Sequence, residues 1–189
     1  MKKSTSKGEL KLKLVEEAID ANKHLRIVGD FYCGADDPLD TFLKSESFRY
    51  HQQKYGYTYL IFTETQDELL SFYTIKANGV LMQQNCIYNS VPVIEIARIA
   101  VQYEYQGHGL GKEIFFKYIL PKIQNVAEII AIYGIIVFVD DGNENAIKFY
   151  KSLGFSPAPQ EIQNAIGESF NEGCQLYFVR LDNVNQSLE

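Results

Sequence analysis

Residues 105–113 read Tyr-Gln-Gly-His-Gly-Leu-Gly-Lys-Glu (YQGHGLGKE). Gly107, Gly109 and Gly111 alternate with other residues, just after an apolar run and just before a helical pattern, as in a phosphate cradle. Main-chain N–H groups at the start of a helix attract anions, and glycines let the backbone come close to them. Spacing separates the kinds of cradle. A Walker A loop ending at Gly111-Lys112 needs glycine at 106 and a hydroxyl at 113, where this chain has Gln106 and Glu113. The dinucleotide pattern GxGxxG needs a third glycine at the position of Lys112. What remains is Gln-x-x-Gly-x-Gly, carried by Gln106, Gly109 and Gly111, which suits a diphosphate held without a metal.

Outward from this loop the chain alternates between helical and extended patterns. On the N-terminal side, "VPVIEIARIAV" (Val91–Val101) reads as a strand, and "YTYLIFTET" with "ELLSFYTIKA" as an antiparallel hairpin turning at Gln66-Asp67. Further back, "FYCGADDPLDTFL" holds a turn from Gly34 to Pro38, with Asp37-Pro38 as cap and first helical residue of a helix reaching about Tyr55. An amphipathic stretch from about Glu9 to Asn22 reads as a helix, so residues 1–24 are expected to form a helical extension. On the C-terminal side, "KEIFFKYILPKI" reads as a helix that Pro121 ends or kinks. Ile129–Val139 follows as a strand, "NENAIKFYKSL" as a short helix closed by Gly154, and "CQLYFVRL" as a last strand. A loop is expected around Met82–Ser90. Helices alternating with strands predict a mixed α/β sheet with a βα unit at the glycines.

Composition narrows the function classes. A chain of 189 residues, 46% hydrophobic and 22% charged, fits one globular domain, 1–189. A net charge of -6 sets the average surface against nucleic acid. Lys2, Lys3, Lys7, Lys11 and Lys13 form a basic run at the N-terminus, a pattern usually just solvated. Cys33, Cys86 and Cys174 are far apart, and His24, His51 and His108 fall in no ligand spacing, so no metal site is expected. Free thiols fit a reducing cytoplasm, and no apolar run reaches the length of a membrane helix.

Four pieces in order, "EIARIAV", "QGHGLGK", "YGIIVFV" and "NENAIKFYKSLGF", resemble the GNAT superfamily of acetyl-CoA-dependent N-acetyltransferases. The resemblance spans about Val91 to Ser156. It implies an acetyl-CoA-binding core at 91–156 and an α/β (α+β) fold. In that fold a largely antiparallel sheet, flanked by helices, contains a central splayed parallel strand pair. It also implies that Ile99, Ala100 and Val101, with Gln106, Gly107, His108, Gly109, Leu110, Gly111 and Lys112, hold pantetheine and diphosphate. Asn143, Ala146, Ile147 and Tyr150 share one helical stripe, so Asn143 and Ala146 are expected at the cofactor while Tyr150 reaches its sulfur. The alternative for Tyr150 is a buried aromatic at a helix–sheet contact.

The chemistry needs a neutral amine, a stabilised oxyanion and a protonated leaving thiolate. Glu95, inside an otherwise apolar strand where several members of the family carry a base, is the candidate base. Its alternatives are a pair with Arg98 or a water-facing strand end. Backbone N–H near Ile99–Val101 would meet the oxyanion, and the Tyr150 phenol would protonate the thiolate. The acceptor is read as a primary amine of a small molecule or peptide, attacking the thioester directly. Phe31 (or Tyr32), Cys33, Gly34, Leu39, Asp40, Phe42 and Leu43 match a pattern of GNAT toxins that acetylate aminoacyl-tRNA. That resemblance makes tRNA the alternative partner, against which the acidic charge weighs. A catalytically silent acyl-CoA-binding module is a third reading, disfavoured by Glu95 and Tyr150. Folds of this kind commonly form homodimers.

Overall fold

The structure, a computed structural model, describes residues 13–35, 37–81, 90–159 and 173–184. Its strands are β1 (Leu14–Ala18), β2 (Tyr57–Thr63), β3 (Leu69–Leu81), β4 (Ser90–Val101), β5 (Gly134–Asp140), β6 (Ser156–Pro157) and β7 (Cys174–Arg180). They form one mixed sheet in the order β1-β2-β3-β4-β5-β7-β6. β1 runs antiparallel to β2, and β7 antiparallel to both β5 and β6. β4 and β5 are parallel through Val93↔Gly134, Ile94↔Ile135 and Glu95↔Ile136. Among the described residues that ladder ends at Glu95, although β4 continues, which is the splay expected of the central pair.

The helices are α1 (Ala21–Gly29), α2 (Pro38–Ser45), α3 (Ser47–Gln52), α4 (Leu110–Ile114), α5 (Leu120–Ala127), α6 (Glu144–Ser152) and α7 (Leu181–Val184). Asp37 caps α2 by accepting from the Leu39 N–H at 2.9 Å, with Pro38 at the first helical position. There the missing proline N–H costs no hydrogen bond. The helix expected to reach Tyr55 breaks at Glu46 into α2 and α3. Pro121 does not end its helix. A π-turn at Phe115–Ile119 precedes it and α5 carries it in the first turn, where its lack of a donor is tolerated.

Two expectations fail. The stretch read as a helix from Glu9 to Asn22 is a strand over Leu14–Ala18, and helix begins only after the Asp20 cap. Tertiary partners override the helical propensity of its leucine, glutamates and alanine. β1 pairs along β2, Glu16 accepts from the Tyr73 hydroxyl, and Glu17 takes the His24 ring at 3.2 Å. The strand read as Ile129–Val139 starts at Gly134, and Ile129 and Ile130 sit exposed in the turn after α5. The expected loop at Met82–Ser90 lies outside the described residues as far as 89, as do Cys86, Lys2, Lys3, Lys7 and Lys11.

The chain divides into two compact units, Met1–Thr74 with Arg98–Tyr118 and Ile75–Ala97 with Ile119–Glu189. In the first, α1, α2 and α3 cover β2 and β3 around Val28, Phe31, Leu43, Leu60 and Phe72, each almost fully buried. Each such side chain stabilises the fold by about 2 kcal/mol. In the second, Val80, Val93, Ile136, Ala158 and Leu176 form a core.

Gly134 is fixed by crowding. A β-carbon there would meet the Val179 carbonyl oxygen and the Phe178 ring at 2.6 Å. Gly134→Ala is therefore expected to cost at least about 2 kcal/mol, since strand β7 would have to move. Chemical denaturation of the two proteins, compared at their midpoints, checks this.

Candidate active site

The glycine loop belongs to the first unit. After β4, a short 3-10 turn at Tyr103–Tyr105 leads to Gln106, whose Nε2 donates to the Cys33 carbonyl at 2.7 Å and the Val101 carbonyl at 2.9 Å. The glutamine of the motif thus ties the loop to the end of β4 and to the segment before α2. Gly107 and Gly109 have φ of 76° and 83°, the left-handed region that glycine enters without penalty. A β-carbon on Gly109 would meet nothing within 4 Å, so the requirement there is torsional. Gly109 is the N-cap of α4, and no side chain caps that end. The Lys112 and Glu113 N–H groups turn back to the Gly109 carbonyl, whereas those of Leu110 and Gly111 have no acceptor within the helix. They suit an anionic ligand.

The neighbouring residues take fixed places. Ala100 is buried, with its carbonyl accepting from the Ser71 hydroxyl, and Ile99 and Val101 are half-buried. His108 is exposed, and the Lys112 ammonium lies 5.8 Å from the Phe116 ring centre. Leu110 anchors the start of α4 in the core. Asp40 holds the base of the loop by accepting from the Cys33 N–H at 3.0 Å. Burial first, then Asp40 and Asp37, pushes the Cys33 thiol far above its usual range, which leaves it no role as a nucleophile. Among the described residues no group of His, Cys, Asp and Glu gathers as a metal site would require.

Glu95, Asn143, Ala146 and Tyr150 belong to the second unit. Glu95 is 5% exposed and stands at the last pair of the parallel ladder. Its Oε2 receives the Lys76 ammonium at 3.1 Å and the Asn78 amide at 2.6 Å. The expected alternative pairing with Arg98 is replaced by this one, and Arg98 instead stacks over Phe42 at 5.1 Å. Lys76 and Asn78 were not legible as site residues. Their signal was the alternation of polar residues along an apolar strand, which puts both on one face.

Asn143 is the N-cap of α6, and its Oδ1 accepts from the Ala146 N–H at 3.0 Å. That bond engages the Asn143 side-chain oxygen. Tyr150 is buried with its ring at 5.1 Å from Phe149 and 5.6 Å from Phe155. Gly154 (φ 92°) turns the chain so that the Phe155 N–H bonds the Tyr150 carbonyl at 3.1 Å, closing the Phe-Tyr…Gly-Phe pattern on itself.

A sequence profile described as the acetyltransferase (GNAT) family matches residues 28–155. The chain belongs to this family. It is an acetyl-CoA-dependent N-acetyltransferase. Similar solved structures include AtaTR bound with AcCoA, 22% identical, with a TM-score of 0.74 over 93% of this chain and 98% of that one. AtaT complexed with acetyl-methionyl-tRNAfMet is 23% identical, with a TM-score of 0.71 over 94% and 100%. A KacTA–DNA complex is 25% identical, with a TM-score of 0.69 over 93% and 98%. The acetyltransferase has no described helix long and apolar enough to cross a membrane. Its glycine loop fits the diphosphate of coenzyme A, because the first N–H groups of α4 are uncapped and both left-handed positions are glycine.

Gln106→Ala removes two hydrogen bonds at the base of that loop. The Kd for coenzyme A, measured by calorimetry, is expected to rise about tenfold, about 1.4 kcal/mol, with the melting temperature little changed.

Proposed function

We propose that this acetyltransferase moves the acetyl group onto a primary amine by direct attack, with Glu95 as base and Tyr150 as acid. The observation that carries the reading is Glu95 itself, a carboxylate buried in an apolar strand at the point where the parallel ladder ends. Such a group is costly to bury unless paired, Lys76 and Asn78 supply the pairing, and its place at the end of the ladder supports the base role.

Acetyl-CoA supplies an activated thioester when bound. Main-chain N–H groups of Gly107 through Gly111 would hold its diphosphate, with Gln106 bracing the loop. Residues Ile99–Val101 would line the pantetheine and offer N–H to the developing oxyanion. In the second unit, Asn143 and Ala146 at the start of α6 would be the residues to meet the cofactor, Asn143 through its Nδ2. An amine of lysine type has a pKa of about 10.4 and an α-amine about 8, so at neutral pH both arrive largely protonated. Glu95 takes that proton before attack. The Tyr150 hydroxyl gives its proton to the leaving sulfur and recovers one as the amide nitrogen loses its second.

A second reading narrows the acceptor to the α-amino group of an aminoacyl-tRNA. Its support is the Phe31–Leu43 pattern and the fold shared with AtaT in complex with acetyl-methionyl-tRNAfMet. The net charge of -6 weighs against it.

Thiol release from acetyl-CoA is the assay, with spermidine, a lysine peptide and methionyl-tRNA as acceptors. Turnover with at least one is expected, and tight cofactor binding with none would leave a silent binding module. Tyr150→Phe is expected to lower kcat by about 10² to 10⁴ with little change in the KM for acetyl-CoA. If methionyl-tRNA is the acceptor, induced expression in a bacterium arrests growth and Tyr150→Phe relieves the arrest.

A further inference from the structure

We infer that Lys76 and Asn78 are positioning residues for Glu95, holding its Oε2 so that Oε1 is the oxygen that accepts the amine proton. The inference rests on the base role given to Glu95 above. A hydrogen bond and an ion-pair contact converge on one atom, with Asn78 Nδ2 at 2.6 Å and Lys76 Nζ at 3.1 Å from Oε2. Oε1 carries no hydrogen bond among the described residues, where no fully buried side-chain oxygen or nitrogen lacks a partner. An oxygen without a partner in that setting keeps an edge open to solvent or substrate.

Asn78 is fixed in turn. Its Oδ1 accepts from the Gly79 N–H at 2.7 Å, so the amide cannot flip and must present its NH₂ group to Glu95. Lys76 and Asn78 are two residues apart on β3 and share a face, as strand geometry requires. From β5 the register partner of Glu95 is Ile136, which brings no charge. Among the described residues, the groups bonded to this carboxylate are therefore one cation and one amide, both on the same oxygen.

A clamp on one oxygen fixes the carboxylate plane and directs the Oε1 lone pairs. The proton then moves from the amine nitrogen to Oε1, and the electron pair it leaves forms the new C–N bond.

The test uses the full chain with Lys76→Met, Lys76→Arg, Asn78→Ala and Glu95→Gln. In protein carrying ¹³C-labelled glutamate, the Glu95 carboxyl resonance, assigned by its loss in Glu95→Gln, is compared among the variants at one neutral pH. Lys76→Met is expected to shift it, because the ammonium beside Oε2 is gone, and Lys76→Arg to restore it. An unchanged resonance in Lys76→Met would overturn the clamp. With spermidine or methionyl-tRNA as acceptor, whichever turns over, Asn78→Ala is expected to lower kcat about tenfold at unchanged KM for acetyl-CoA. This variant also serves if Lys76→Met does not fold, and wild-type kcat in a folded Asn78→Ala would overturn the positioning role. Full activity in Glu95→Gln would sink the base role itself, a result separate from the resonance, which reads the clamp without any acceptor.

Discussion

The side-chain amide of Gln106 makes two hydrogen bonds at once, to carbonyls at residues 33 and 101 that lie far apart in sequence. Everything expected of the glycine loop depends on that fork. Two left-handed glycines leave a backbone that is permissive in torsion, and permissive backbone is entropically costly to hold in one shape. The fork supplies the restraint. It closes the loop against β4 on one side and against the segment that Asp40 fastens on the other, while the start of α4 stays uncapped. The loop is thereby rigid in its frame and open at its amides, which is what electrostatic preorganisation requires.

The second unit solves a similar problem with charge. A carboxylate inside an apolar strand is tolerated only when paired, and Lys76 with Asn78 supply the pairing from the adjacent strand. Tyr150 is held differently, by aromatic neighbours and a turn that folds back on its own carbonyl. Glu95 and the glycine loop are held by partners distant in sequence, whereas Tyr150 is held by residues of its own motif.

That asymmetry explains what could be read from the chain alone. The loop, the helix closed by Gly154 and the hairpin at Gln66-Asp67 were legible because their signals are local: torsion, cap and turn chemistry. The α/β sheet with its parallel pair followed from alternation of elements. β1 was misread because its glutamates imitate a helical surface, and only the Tyr73 hydroxyl and the His24 ring reveal why a strand keeps them. Ile129 and Ile130 extended the apparent strand because an apolar run carries no mark of where the chain turns. The pair with Arg98, one of the alternatives considered for Glu95, joins residues near in sequence, when cross-strand neighbours are what a sheet brings together.

The suppressed thiol at Cys33 has a consequence for the life of the enzyme. Oxidants and alkylating agents react with thiolate, and a buried sulfur flanked by two aspartates offers almost none. The sulfur therefore sits inert at the foot of the loop during oxidative stress, when more acidic cysteines elsewhere in a proteome are being lost.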